Sequence, residues 1–176
     1  MRLIVDVGMM IRMMIRIAFC ELLSSFYFQF PYFCPKNILM YPAELVMPMK
    51  AELTGNGFED LSTPEQVDIA LHKAGTTLLV LNSVCGCSAG TARPGVLMAV
   101  QNATQKPTQC VTTFAGFDTD AVKQARTYLM PYPPSSPCIA ILKDGQLVHM
   151  IERHMIEGRP AQMIAANLIE AFEQYC

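Results

Sequence analysis

From Met40 onward the apolar positions change period several times, and each change marks an element. Ser62-Thr63-Pro64-Glu65 reads as a helix opening, with a hydroxyl cap, a proline in the first turn and an early acid. Val67, Ile69, Ala70 and Leu71 give this helix an apolar side, and Gly75 stops it near Ala74. Residues 76–81 (TTLLVL) are a short continuous apolar run with β-branched members, the pattern of a buried strand. A cysteine-bearing segment with Ser88, Ala89 and Gly90 then leads into a helix ending near Thr104. Residues 107–113 predict a second strand and residues 118–129 a second crossover helix, with Asp118 as its cap. The stretch Pro131-Tyr132-Pro133-Pro134-Ser135-Ser136-Pro137 is too proline-rich for a helix or a central strand. Residues 138–142 (CIAIL) form a strand, Asp144-Gly145 a hairpin turn, and residues 146–151 the antiparallel partner. Gly158-Arg159-Pro160 opens a last amphipathic helix, with Met163, Ile164, Leu168, Ile169 and Phe172 near helical spacing.

The order helix, β-α-β-α, β-hairpin, helix predicts an α/β fold. Two strands joined by a helix pair in parallel with a right-handed crossover, and the hairpin adds antiparallel strands. The expected architecture is a three-layer α/β/α sandwich around a mixed four-stranded sheet, with an additional helix on its N-terminal side. Sites in such sheets lie beyond the carboxyl ends of the strands. Cys85 follows the first strand at that position.

Residues 1–39 are of another character, rich in Met, Ile and Phe but interrupted by Asp6, Arg12, Arg16 and Glu21. No uncharged run reaches the roughly 18–20 residues of a membrane span, and no clean small-residue cleavage site follows. Residues 1–39 are therefore read as a leader, with three readings open: a poorly formed anchor, an appendage helix, or upstream sequence translated from a mis-assigned start. The change of character at Met40 favours the third, and residues 40–176 form the folded domain. Cys20 and Cys34 receive no role.

At 176 residues the chain is sized for one domain. A formal charge of -2 without any basic run argues against nucleic acid as a partner, and no membrane partner is expected. Seven cysteines, an odd number, do not suit a disulfide scaffold, so the thiols are read as mostly reduced. That implies a reducing, cytoplasmic compartment, where a close cysteine pair is catalytic or metal-binding.

The close pair is Cys85-Gly86-Cys87, at a strand-to-helix junction. Unpaired N–H groups and the helix dipole there favour a thiolate, which is the nucleophile. Cys85 is expected to attack and Cys87 to resolve. Gly86 is expected to let the backbone turn tightly between the sulfurs, and Arg93 to add a minor positive field. A one-residue spacing makes a small, strained ring, so the pair should be comparatively oxidising. Asn82 and Ser83 are candidate substrate contacts, or else form ordinary turn hydrogen bonds. Ser136-Pro137, at the start of a strand, is a candidate cis bond that presents the Ser136 backbone to an extended substrate; the other reading is a trans proline in a stiff turn.

Two other classes remain beside catalysis: an inert buried pair, and a non-catalytic soft-metal module built on Cys85 and Cys87. Zinc or a cluster normally takes four donors. Cys110, Cys138, His149 and His154 could contribute, yet no second paired knuckle exists, and no metal is assigned. Cys110 and Cys138 read as core, Cys176 as a frayed end or a third thiol near the site, and Glu152-Arg153-His154 as a solvated edge.

The stretch Asn82-Ser83-Val84-Cys85-Gly86-Cys87-Ser88-Ala89-Gly90-Thr91-Ala92-Arg93-Pro94, with Tyr132-Pro133-Pro134-Ser135-Ser136-Pro137, resembles the bacilliredoxins. The likeness runs from Met40-Tyr41-Pro42 to Tyr175-Cys176. It implies a thioredoxin-like fold and a thiol–disulfide oxidoreductase that removes bacillithiol from protein mixed disulfides. Cys85 would take up the small thiol, Cys87 or a second thiol would release it, and Pro137 would match the family's cis-proline. It further implies bacillithiol or a related small thiol as co-substrate with no bound cofactor, client proteins carrying mixed disulfides, and a recycling reductase. General disulfide isomerase or reductase activity is the alternative within the same chemistry.

Overall fold

A computed structural model describes residues 40–176; the expectations for residues 1–39, Cys20 and Cys34 included, lie outside the described residues. The elements are α1 (Ala43–Thr54), β1 (Glu59–Asp60), α2 (Pro64–Leu71), β2 (Thr76–Asn82), a wide π-type turn (Ser88–Ala92) running into α3 (Arg93–Asn102), β3 (Gln109–Phe114), α4 (Thr119–Tyr128), β4 (Cys138–Lys143), β5 (Gln146–Ile151), α5 (Arg153–Ile156) and α6 (Ala161–Tyr175).

The sheet has five strands in the order β1-β3-β2-β4-β5, one more than the sequence pattern predicts. The extra strand is β1, whose two residues pair in parallel with Val111 and Thr112 of β3. Two residues are too few to display an alternation, so the chain carries no periodic signal for it. Helix α1 is hidden for another reason. Pro48 lies inside it and withdraws a backbone donor from its middle, where a sequence reading would end a helix.

The other elements follow the pattern. A capping box opens α2: Thr63 Oγ1 accepts from Gln66 N at 3.3 Å, and Gln66 Oε1 accepts from Thr63 N at 3.1 Å. Asp144 and Gly145, at φ of 51° and 78°, form the β4–β5 turn, whose twist requires left-handed backbone at both positions. Asp118 departs from its expected role. Its Oδ2 accepts from Phe114 N at 2.9 Å, so it closes the end of β3 rather than capping α4 with its side chain.

β2 lies at the centre, parallel to β3 and antiparallel to β4, with all seven residues buried. Its alternate residues feed two cores. Leu78 and Val80 pack with Val96 and Ala99 of α3, Leu168 and Phe172 of α6, and Leu53 of α1. Leu79 and Leu81 pack with Val67 and Leu71 of α2 and Ala121 and Ala125 of α4. The period-2 geometry of one strand thus sorts the helices onto two faces and makes three layers. On the first face α3 and α6 approach so closely that a Cβ on Gly95 would stand 2.8 Å from Ala161 O and from Ile164 Cβ.

A buried lysine ties the edge strand to this frame. Lys50 Nζ stands 2.8 Å from Asp60 Oδ2 and 2.7 Å from Asp118 Oδ2, joining α1, β1 and the β3–α4 corner. Among the described residues no helix is long and apolar enough to cross a membrane.

Candidate active site at the end of the central strand

β2 ends at Asn82, and the chain turns into the helical segment at Cys85. The carbonyl of Cys85 accepts from Ser88 N at 3.0 Å and Ala89 N at 3.2 Å, which makes Cys85 the capping residue. Its sulfur also accepts from Ser88 N, at 3.4 Å. Cys85 Sγ therefore occupies the place that a serine or aspartate oxygen takes at an ordinary helix N-cap, where an orphan N–H favours negative charge.

Three further groups act on the same sulfur. Cys87 Sγ stands 2.6 Å away, Ser83 Oγ stands 3.2 Å away, and the Arg153 guanidinium contributes a positive field. Burial alone pushes the Cys85 thiol up, but the hydrogen bonds from Cys87, Ser83 and Ser88 together with the Arg153 charge outweigh it, so its pKa falls below the ordinary thiol value. Cys87 goes the other way. Its own burial, the hydrogen bond it gives to Cys85 and the charge on Cys85 hold its proton on. Both sulfurs are half-buried rather than sealed in the core. The geometry thus separates one thiol that ionises readily from one that stays protonated, with the two sulfurs in bonding range.

The loop rests on a buried polar network. Asn82 Oδ1 accepts from Ser83 N at 2.8 Å, Ser88 Oγ at 2.8 Å and Arg93 Nη1 at 3.1 Å. Arg93 Nη1 also reaches Ser83 O and Ser88 Oγ, while its Nε and Nη2 bond Glu52 of α1 at 2.6 and 3.2 Å. Arg93 is only 2% exposed. A buried guanidinium persists where its charge is paired and its donors are satisfied, and Glu52 with three oxygens of the loop meets that condition.

Several expected roles change here. Asn82 is wholly buried and so braces the loop from beneath instead of touching substrate. Arg93 lies under the loop, turned toward Glu52, and the arginine that acts on the thiols is Arg153, from the segment expected to be a solvated edge. Gly86 does not have positive φ, and a Cβ there would meet nothing, so no tight turn requires a glycine at this position. Ser83 keeps a place at the site, through its hydroxyl on Cys85.

Ser136-Pro137 is cis, as is Met130-Pro131. Ser136 lines the same cleft as Cys85, and its carbonyl is taken by Arg153 Nη1 at 3.3 Å. Pro137 is buried beside it at the start of β4. The other cysteines among the described residues stand apart from the pair. Cys138 is buried with its pKa pushed up to about 12, and burial pushes Cys110 up to about 11. Cys176 follows Tyr175, whose carbonyl binds Lys143 at the far end of β4, across from Thr76 where β2 begins. Seven strand residues, about 20 Å, separate that end from Asn82, so Cys176 is no third thiol of this site. His149 Nε2 pairs with Asn167 Oδ1 at 2.8 Å. No group of three or more His, Cys, Asp or Glu side chains that could hold a metal occurs among the described residues.

The chain compares with known proteins over this same domain. A family model described as disulphide isomerase matches residues 41–176. The bacilliredoxin of Cytophaga hutchinsonii is 55% identical over 135 residues, 77% of this chain and 99% of the relative. That of Salinibacter ruber is 51% identical, over 77% of this chain and 81% of the relative. That of Bacillus licheniformis is 46% identical, over 77% and 95%. A solved protein described as having a thioredoxin fold superimposes with a TM-score of 0.51 at 13% identity, over 66% of this chain and 96% of that one, a likeness of fold.

Proposed function

The chain belongs to the bacilliredoxin family of thiol–disulfide oxidoreductases, and from that premise we propose that it removes bacillithiol from mixed disulfides on client proteins, with Cys85 attacking and Cys87 resolving. The observation that carries this reading is the unequal pair: a half-exposed Cys85 sulfur held toward the thiolate, 2.6 Å from a Cys87 that keeps its proton.

In the first step the Cys85 thiolate attacks the bacillithiol sulfur of the mixed disulfide. A new bond forms between Cys85 and bacillithiol, the bond to the client breaks, and the client cysteine leaves as a thiolate that takes a proton from water. In the second step Cys87 gives up its proton and attacks Cys85 Sγ, releasing bacillithiol and leaving a Cys85–Cys87 disulfide. A recycling reductase then supplies two electrons. Alternatively a second bacillithiol attacks the small-thiol sulfur on Cys85, freeing Cys85 and leaving as the bacillithiol disulfide. The half-exposed cleft suits an outward-facing client, and a reducing cytoplasm suits a resting dithiol.

The test is incubation of the reduced protein with a bacillithiolated client. Appearance of the client's free thiol at catalytic ratios is the expected result. Failure to free it, with a simple dithiol freeing it under the same conditions, would overturn the substrate assignment. The matching family's description favours one second reading, general disulfide isomerisation. It predicts that the protein reactivates a client with scrambled disulfides faster than it clears the small-thiol adduct.

A further inference from the structure

A cleft of about 260 Å³ opens beside the attacking sulfur, with Tyr41, Gly116, Arg126, Ser136 and Arg153 among the residues that line it with Cys85. Its walls come from segments distant in sequence: the residues just before α1, the loops after β2 and β3, helix α4, the loop before β4, and the first residue of α5. The Tyr41 ring closes one side, so near Gly116 that a Cβ there would stand 2.6 Å from Tyr41 Cε2. The lining contains two guanidinium groups and no carboxylate.

Both cations are under-used by the protein itself. Among the described residues the buried Arg126 Nε has no hydrogen-bond partner, and the side chain makes no ion pair. Arg153 gives one N–H to Ser136 O and holds Glu157 by two long contacts, 3.4 and 3.5 Å, between half-exposed groups. Such a surface pair is weak and easily exchanged. Two forked donors lining one cleft, one of them with a buried N–H unsatisfied, match the paired oxygens of an incoming carboxylate.

We propose that Arg126 and Arg153 form an anion subsite that selects mixed disulfides whose small thiol carries carboxylates, seating that half of the substrate with its sulfur on Cys85. The inference rests on the oxidoreductase reading and adds a specificity to it. The exchange itself is unchanged: the Cys85 thiolate forms the bond to the small-thiol sulfur, and the client thiolate departs. The subsite decides which of the two disulfide sulfurs faces Cys85. An anionic small thiol is drawn to the arginine side, which leaves the client cysteine as the leaving group.

The test uses one client protein bearing either mercaptosuccinate, a dicarboxylate thiol, or 2-mercaptoethanol, which is neutral. The quantity read is the ratio of kcat/KM for the two adducts. The reduced wild-type protein should favour the mercaptosuccinate adduct by about tenfold or more, the order of one charge-assisted hydrogen bond, mainly through KM and with the preference shrinking in high salt. Arg126→Gln should bring the ratio toward unity and Arg126→Lys should restore part of it. Glu157→Gln, which frees Arg153 from its competitor, should raise the ratio. Titration of the protein with succinate, followed by amide chemical shifts, should perturb Gly116 and Ser136 in the wild type and not in Arg126→Gln. Equal handling of both adducts would overturn the subsite and leave the oxidoreductase reading standing. Cleavage of neither adduct would overturn both, and succinate shifts unaltered in Arg126→Gln would remove Arg126 from the site.

Discussion

Arg93 Nη1 stands 3.1 Å from Asn82 Oδ1, so the last residue of the central strand and the first of the helix beyond the site are joined beneath the two sulfurs. That bond makes the loop between them a braced arch. Cys85, Gly86 and Cys87 face the solvent side, and the bracing side chains Asn82, Ser88 and Arg93 are all buried. Because Arg93 also holds Glu52, helix α1 is tied into the same arch.

Arg93→Leu removes five hydrogen bonds and the buried charge that pairs with Glu52. Asn82 Oδ1 and Ser88 Oγ keep other partners, so part of the loss is contained. We expect a stability loss of about 2–3 kcal/mol in urea unfolding, with Arg93→Lys unable to restore it because an ammonium cannot span Glu52 and the loop oxygens together. A loss below about 0.5 kcal/mol, the scale of an unremarkable surface substitution, would contradict the arch.

Cys85→Ser is expected to reduce adduct removal to background, while Cys87→Ser accumulates the mixed disulfide on Cys85. Mass spectrometry of the trapped species assigns the adduct. An adduct found only on Cys87 would reverse the two roles.

Ser83→Ala deletes one of the hydrogen bonds that favour the Cys85 thiolate. Burial, which opposes ionisation, then weighs more, so the pKa of Cys85 rises. At any pH below that value less thiolate is present, and alkylation by iodoacetamide slows. The pH profile of the alkylation rate should move to higher pH, and a shift to lower pH would refute the assignment of Ser83.

Gly86 and Gly95 should respond oppositely to alanine. A Cβ at Gly86 meets nothing, whereas at Gly95 it stands 2.8 Å from Ala161 O and Ile164 Cβ. Gly86→Ala should change stability by less than about 0.5 kcal/mol, and Gly95→Ala should cost about 1–3 kcal/mol as α3 and α6 are forced apart. Thermal unfolding of the two variants makes the comparison directly.

Much of this was legible along the chain. The run TTLLVL gave β2, the Ser-Thr-Pro-Glu opening gave α2, and Asp144-Gly145 gave the hairpin turn, because each depends on neighbours within a few residues. β1 was not legible, since two residues carry no period. α1 was masked by Pro48, whose cost is offset by packing that no local pattern reveals. The cysteine pair stood out by spacing, yet the arginine that serves it did not: Arg153 lies 68 positions beyond Cys85 in a charged run that reads like any solvated surface.

The chain's own order of residues settled the layer architecture, the position of Cys85 at a strand end, and the proximity of Cys87, for these are consequences of short-range periodicity and of two atoms separated by one glycine. Tertiary structure alone decided that Asn82 and Arg93 support rather than contact, that Arg126 and Arg153 share a cleft with Cys85, and that Cys176 lies at the opposite end of the central strands. Burial and electrostatic field are sums over groups brought together by folding, and distance along the sequence does not encode them.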